Sequence, residues 1–172
     1  MIWPDLRPIL VGIPWATVGA VATRLYTSER ATGDIDVAVP ATDYASAKRR
    51  LEDAGFNHVS ELTIGGSGWV GPDGTHIDLI EGREPWWPDA LSQAQNNPDQ
   101  QSFPTLPLPY LVLMKLQASR LIDMGDLGRM LGVASDYDFE AVRRVVSKYA
   151  PELVEDLESI RALGRLEHEG AP

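Results

Sequence analysis

The sequence of 172 residues contains no cysteine, which excludes disulfide bonds, thiolate metal sites and cysteine nucleophiles together. Histidine is also scarce, and His58, His76 and His168 are not spaced as a zinc site requires. A metal bound by this chain would therefore be a hard cation held by oxygen ligands, which suits magnesium.

Long apolar runs are absent as well. No stretch reaches the roughly 18 apolar residues that a membrane-spanning helix needs, and the start "MIWPDLRPIL" lacks the basic and apolar regions of a signal peptide. With 44% hydrophobic and 23% charged residues, the composition is typical of a globular protein. We therefore expect a cytoplasmic protein with no membrane segment.

Positive charge is in deficit, because 15 Lys and Arg face 25 Asp and Glu and the net charge is -10. Broad nucleic-acid binding depends on Lys and Arg that neutralise phosphates, so this balance argues against it. It does not exclude a local basic face. The last third of the chain carries Arg143, Arg144, Lys148, Arg161 and Arg165.

Helix and strand patterns alternate up to Glu81, after which helical patterns dominate. We predict an α/β (α+β) fold with a small mixed or antiparallel sheet, flanking helices and a helical C-terminal part. The expected boundaries are 1–84 for the sheet core, 85–108 for a proline-rich connector, and 109–172 for helices packed on the core.

The sequence patterns also predict where individual strands and helices lie. A short strand should end at Val18, with a glycine turn at Gly19 and a helix from Ala20 to Tyr26. "DIDVAVP" alternates as a strand, and "TDYASAKRRLEDAG" has the caps of a helix with Tyr44, Ala47 and Leu51 on its core side. The segments "FNHVSEL", "GSGWVG" and "THIDLIE" should pair as an antiparallel meander, and four helical segments follow from Pro109 onwards.

Two carboxylates stand at the start of the apolar strand. Asp34 and Asp36 are two residues apart, so they share one face and lie roughly 7 Å apart at about 3.3 Å per residue. Like charges so placed resist ionisation unless a cation lies between them. Asp78 follows on another apolar strand, and if that strand is adjacent, the three carboxylates form an oxygen cage for two magnesium ions, as in nucleotidyl transfer.

These motifs resemble a known family. "VGAVATRLYTSERATGDIDVAV" looks like the signature of the DNA polymerase beta-type nucleotidyltransferase superfamily, and more narrowly that of minimal and abortive-infection (AbiEii-like) toxin nucleotidyltransferases. The family pattern of Gly-Gly-x-Ala followed by Arg-x-Thr-x-Asp-Ile-Asp falls on residues 19–22 and 30–36. Its later Ile-Asp strand falls on residues 76–80 and its lysine-bearing helix on residues 111–118, so the resemblance covers residues 15–131.

The resemblance implies transfer of a nucleoside monophosphate from a nucleoside triphosphate such as ATP to an acceptor hydroxyl. It implies that Asp34, Asp36 and Asp78 are catalytic and bind two Mg²⁺ ions, and that Asp123 and Asp126 support the site. The implied nucleotide-binding residues are Gly19, Ala20, Arg30, Thr32 and Lys115. Ala20 stands where the family has glycine or serine, although backbone N–H groups at a helix start could still bind phosphate.

The sequence does not identify the molecule that accepts the nucleoside monophosphate. The family offers transfer RNA ends, a hydroxyl of a partner protein such as a cognate antitoxin, or a small molecule such as an aminoglycoside-like antibiotic. The acidic balance argues against RNA, and the toxin of a toxin-antitoxin pair is the family's commonest role. Because of Ala20, a catalytically inactive nucleotide-binding or scaffold protein with the same fold stays open as the alternative.

Several residues also have simpler interpretations. Asp34 could close the Thr-Gly loop, Asp78 could be a surface residue, and Arg30 could only stabilise the loop. His76 is interpreted as structural.

Two further features lie outside the strands. On an unbroken helix, Lys115 would share a stripe with Ser119, Asp123 and Asp126, where it could bind phosphate or simply pair with Asp123. The Trp86-Trp87 pair could be a hydrophobic lid, a core anchor or a base-stacking platform.

Overall fold

The computed structural model describes residues 3–27 and 32–169. The chain divides into two compact units. The first comprises Met1–Ala22 and Arg30–Leu106, and the second comprises Thr23–Glu29 and Pro107–Pro172.

A five-stranded mixed sheet forms the first unit, with strand order β1-β2-β5-β4-β3. Strands β2 and β5 are parallel, and the other three pairings are antiparallel. The predicted meander is confirmed, because β3, β4 and β5 pair in sequence order. The strands are β1 (Ala16–Thr17), β2 (Asp34–Pro40), β3 (Asn57–Glu61), β4 (Gly66–Val70) and β5 (His76–Gly82).

Three helices accompany this sheet. Helix α1 (Gly19–Thr23) starts at the glycine turn and is shorter than predicted. Helix α2 (Tyr44–Asp53) ends just before Gly55, whose φ of 85° needs glycine, and buries Ala47 and Leu51 as expected. Helix α3 (Trp87–Ala94) lies inside the segment 85–108 predicted to be a connector, where no helix is expected from the sequence.

Helix α3 forms despite the prolines around it. Pro88 occupies the first turn, where the missing N–H has no helical partner to lose. The helix buries Trp87, Ala90, Leu91 and Ala94 along one side, a spacing typical of an amphipathic helix. Trp86 and Trp87 are only 2% and 4% exposed, and their rings stack with centroids 4.2 Å apart. The pair is therefore a core anchor.

The main core lies on one face of the sheet. Alternate residues of the two parallel strands point into it, and Trp69 of β4 joins them. Burial of each such side chain contributes about 1.5–3 kcal/mol, so this packing fixes which side of each strand remains for polar residues. The core residues of these strands are Ile35, Val37, Val39, Ile77 and Leu79.

The second unit contains the four predicted helices, with shifted bounds. They are α4 (Leu108–Ala118), α5 (Leu121–Val133), α6 (Asp136–Tyr149) and α7 (Val154–Glu169), and a 3-10 turn at Pro151–Leu153 precedes α7. Among the described residues, no helix combines the length and apolarity that a bilayer crossing requires.

The unbroken helix that would place Lys115, Ser119, Asp123 and Asp126 on one stripe does not form. Ser119 adopts a left-handed conformation with φ of 50° and ends α4, and α5 begins two residues later. A left-handed residue terminates a helix because it turns the chain away from the helical axis.

Candidate functional site

Three aspartates of the first unit share one face of the sheet. Asp36 pairs with Asp78 across the parallel β2 and β5 strands, and Asp34 pairs with His76 in the same register. Residues paired in this way project to the same side of a sheet. We call Asp34, Asp36, His76 and Asp78 the carboxylate face, and it lies opposite the main core. The predicted adjacency of the three aspartates is therefore present, while their chemical roles stay predictions.

The glycine turn lies directly against this face. Gly19 has a φ of 59°, and a Cβ atom added to it would be 1.8 Å from Oδ2 of Asp36. Both the backbone conformation and the space therefore require glycine. Ala20 follows as a buried residue at the start of α1. The predicted nucleotide-binding turn and the second aspartate of the Asp-x-Asp motif are thus in contact.

Thr32 holds the first aspartate in place. Its hydroxyl donates a hydrogen bond to Oδ1 of Asp34 at a distance of 2.5 Å. In this arrangement the hydroxyl orients a carboxylate, and its predicted contact with a nucleotide stays a prediction. Arg30, the other residue predicted from this loop, lies outside the described residues.

The carboxyl of Asp78 has a raised pKa. Burial raises the pKa of its carboxyl above the ordinary value, the negative charge of Asp34 raises it further, and His76 partly offsets both. A carboxylate whose proton affinity is raised is suited to accept a proton from a reacting hydroxyl.

His76, interpreted from the sequence as structural, belongs to this face. It pairs with Asp34, is exposed, and precedes Asp78 by two residues on the same strand. The strand period of two was the signal that could have placed it beside Asp78.

The donor set suits a hard cation, because carboxylate oxygens are the ligands that Mg²⁺ prefers. The register of β2 and β5 places Asp34, Asp36 and Asp78 on one face, and a cation between such like charges would relieve their repulsion. Within the part of the chain that the structure describes, however, no three His, Asp or Glu side chains are arranged to hold one ion. The ligand roles of Asp34, Asp36 and Asp78 therefore stay predictions.

Lys115 lies at the centre of an ion cluster inside the second unit. Its Nζ donates to Oδ1 of Asp123 at 3.0 Å and to Oδ2 of Asp126 at 2.8 Å, and its side chain is only 2% exposed. The structure thus brings together three predicted residues, Lys115, Asp123 and Asp126, even though a turn separates α4 from α5. This geometry favours the simpler interpretation of Lys115 as an ion-pair partner, and its contact with nucleotide phosphates stays a prediction.

Two arginines complete the ion cluster. Arg120 donates to Oδ2 of Asp123 at 2.6 Å, and Arg129 donates to Oδ1 of Asp126 at 2.6 Å. Burial alone would raise the pKa of Asp123, but the hydrogen bonds from Arg120 and Lys115 outweigh it and lower this pKa below 3.8. The cluster ties the end of α4 to the first half of α5.

Much of the positive charge in the last third of the chain has acidic partners. Arg143 pairs with Glu158 at 2.9 Å, and both Arg161 and Arg165 contact Asp136. These contacts weaken the possibility of a local basic face that was left open by the sequence.

Neither a protein-family model nor a curated protein matches the sequence. Among solved structures, the solution structure of the antibiotic-resistance factor ANT(2'')-Ia aligns over 95% of this chain and 91% of that one, with 14% identity and a TM-score of 0.47. A crystal structure of ANT(2'')-Ia with adenylyl-2''-tobramycin aligns over 91% and 89%, with 15% identity and a TM-score of 0.47. Similarity at this level transfers neither a residue role nor an activity to this chain.

Proposed function

We propose that the chain is a metal-dependent nucleotidyltransferase that moves a nucleoside monophosphate from a nucleoside triphosphate to an acceptor hydroxyl. The observation that carries the proposal is the parallel register of β2 and β5, which sets Asp78 beside Asp36 while Asp36 lies against Gly19. The Asp-Ile-Asp strand of residues 34–36 and the later Ile-Asp strand thus meet in space, although 42 residues separate Asp36 from Asp78 along the chain.

The turn at Gly19 is the proposed binding site of the nucleotide phosphates. With no Cβ at this position, the backbone of the turn can lie directly against the carboxylate of Asp36. Helix α1 is only five residues long, so backbone N–H groups of the turn, rather than a helix dipole, would contact the phosphates.

Asp78 is the proposed general base. The acceptor oxygen forms a bond to the α-phosphorus, and the bond from that phosphorus to the bridging oxygen of pyrophosphate breaks. The proton of the acceptor hydroxyl passes to a carboxylate oxygen of Asp78, whose raised pKa suits this transfer. Pyrophosphate leaves with the electron pair of the broken bond.

Asp34 and Asp36, and Asp78 beside them, are the proposed ligands of Mg²⁺, and Thr32 orients Asp34 through its hydrogen bond. Magnesium, when bound, neutralises phosphate charge and stabilises the leaving pyrophosphate.

For the acceptor, the observations favour a protein hydroxyl or a cationic small molecule over transfer RNA. The net charge is -10, and Arg143, Arg161 and Arg165 are already paired with carboxylates. RNA binding would instead need cationic side chains available to phosphates. A role as the toxin of a toxin-antitoxin pair, and a location in the cytoplasm, rest on the sequence alone.

The test is release of pyrophosphate and labelled monophosphate from each α-labelled triphosphate with Mg²⁺, in the presence of separated RNA, protein and small-molecule fractions of a cell lysate. We expect turnover that Asp36→Asn reduces at least 100-fold and that EDTA abolishes. Asp53→Asn, on the exposed end of α2, is the matched control and should keep full activity. Equal activity of the Asp36 variant and wild type would refute the proposal.

A non-catalytic nucleotide-binding protein is the second candidate. Ala20 in the turn and the absence of an assembled three-ligand cluster among the described residues favour it. Binding of Mg²⁺ and triphosphate without pyrophosphate release, with every lysate fraction supplied, would identify this alternative.

A further inference from the structure

Strand β4 carries a glycine where a side chain would be expected. Glycine inside a strand weakens it, and it commonly marks a bulge or a place where a ligand approaches the backbone. Gly68 pairs with Asp78 on one side and with Ser60 on the other, so it continues the row that begins at Asp36. The row of paired residues therefore continues from the carboxylate face through Gly68 to Ser60 of β3.

The backbone at Gly68 does not itself require glycine, because its φ lies outside the left-handed region. The surrounding space is the constraint. A Cβ atom at Gly68 would be 2.5 Å from Oγ of Ser60 and 3.4 Å from Oδ1 of Asp78. The position thus lies between a hydroxyl and the carboxylate proposed as general base.

A bulge in β3 directs Ser60 to this position. In a regular strand, His58 and Ser60 would share a face, since they are two residues apart. Here the register shifts between them, so His58 pairs with Trp69 while Ser60 pairs with Gly68. Trp69 belongs to the core side and Gly68 to the carboxylate face. Bulges that redirect a side chain are enriched beside active sites.

The order of elements across the sheet places the Gly19 turn and Ser60 on opposite sides of Asp78. The Gly19 turn lies against Asp36, and Asp78, Gly68 and Ser60 follow in the other direction. In phosphoryl transfer, the attacking and leaving oxygens lie roughly in line on opposite sides of the phosphorus. If pyrophosphate leaves on the Gly19 side, the attacking oxygen must approach from the Gly68 side.

We infer that the acceptor hydroxyl lies over Gly68, between the carboxylate of Asp78 and the hydroxyl of Ser60, and that Ser60 positions the acceptor. This inference rests on the proposed nucleotidyl transfer. It assigns the acceptor subsite to strands β3 and β4, where an acceptor larger than water must contact both Gly68 and Ser60.

The experiment measures how the nucleotidyl group partitions between two simple acceptors, water and molar glycerol, with α-labelled triphosphate and Mg²⁺. Both products arise from the same bound nucleotide, so their ratio does not depend on nucleotide affinity or on the fraction of folded protein. We expect Gly68→Val and Ser60→Ala each to lower the ratio of glycerol ester to free monophosphate at least fivefold. Ser92→Ala, an exposed serine on α3, should leave the ratio unchanged.

Unchanged ratios in both variants, or a wild-type protein that forms only free monophosphate at molar glycerol, would overturn the assignment of the acceptor subsite. A wild-type protein that releases no monophosphate with either acceptor would instead refute nucleotidyl transfer itself. Loss of fluorescent triphosphate binding in Gly68→Val, with Ser60→Ala unaffected in every assay, would place the nucleotide over Gly68 and contradict the inference.

Discussion

Gly19 and Asp36 touch, and the contact leaves no room for any other residue at position 19: a Cβ atom there would be 1.8 Å from Oδ2 of Asp36. The turn that begins α1 and the strand that carries the Asp-x-Asp motif are therefore fitted to each other. Any side chain introduced at position 19 must displace the carboxylate of Asp36.

Replacement of Gly19 by alanine should therefore impair both folding and activity. A non-glycine residue at positive φ costs about 1 kcal/mol or more, and the clash forces Asp36 to move in addition. We expect at least a 50-fold loss in pyrophosphate release by the folded protein, measured with urea unfolding to correct for stability.

Gly12→Ala is the matched control for this prediction. Gly12 also has a positive φ, at 76°, but nothing lies within 4 Å of a Cβ at this position. It should lose stability from backbone strain and keep its specific activity. Equal specific activity for the two variants would show that the contact with Asp36 does not matter for catalysis.

Gly164 of α7 should resist substitution for a different reason. A Cβ there would be 2.1 Å from the carbonyl oxygen of Gly128 on α5, so the two helices are packed with backbone in contact. Alanine would push the helices apart, and we expect a loss of about 2–3 kcal/mol in the free energy of unfolding, as for other overpacked sites.

The control for the helix crossing is Gly125→Ala in α5, where nothing lies within 4 Å of the added atom. Alanine is favoured over glycine in a helix by roughly 0.5–1 kcal/mol, so this variant should gain stability. Urea denaturation measures both changes, and a Gly164 variant as stable as the Gly125 variant would contradict the close crossing.

Periodicity was enough to predict much of this architecture. The alternation in "DIDVAVP" and in "THIDLIE" fixes which side of each strand is apolar, and two such strands side by side place Asp36 next to Asp78. The same period applied to His76 would have added it to the face.

Other features depend on tertiary context and had no local signal. The bulge that turns Ser60 towards Gly68 is a property of the pairing between two strands, and neither strand shows it alone. Ser119 adopts a left-handed conformation that serine rarely takes, so the break between α4 and α5 was not visible. Helix α3 was hidden by flanking prolines, because its stability comes from the burial of residues such as Trp87 and Leu91.

Substitution of Lys115 distinguishes a structural role of this side chain from a role in nucleotide binding. Replacement by methionine keeps the side-chain volume but leaves Asp123 and Asp126 buried without their shared cation. Breaking a buried ion pair by removing one partner costs about 3–5 kcal/mol, and we expect a loss of this size in urea denaturation. Arg129→Gln, at the half-exposed rim of the cluster, should cost about 1 kcal/mol.

The decisive measurement for Lys115 is triphosphate binding by the folded fraction of the methionine variant, under conditions where it is mostly native. An ion-pair role alone predicts an affinity within about twofold of wild type. A tenfold or greater loss would restore the interpretation of Lys115 as a phosphate ligand.

The same cluster should make stability depend on acid. The pKa of Asp123 is lowered in the folded protein, because hydrogen bonds from Arg120 and Lys115 outweigh the effect of burial. In the unfolded chain the pKa returns to its ordinary value, so the unfolded state binds the proton more readily. The stabilisation is therefore complete above the unfolded pKa of 3.8 and is lost as pH falls through the lower folded pKa.

Urea denaturation at pH 6, 5, 4 and 3 tests this dependence in wild type and Asp123→Asn. Asparagine cannot titrate, so the variant should be less stable at pH 6 but lose less stability between pH 4 and pH 3. The difference between the two proteins should narrow steadily over that interval, because protonation of Asp123 removes in wild type what the substitution has already removed. Parallel pH profiles would show that Asp123 has the same pKa in the folded and unfolded chains. The charge on Asp123 would then not stabilise the contact between α4 and α5.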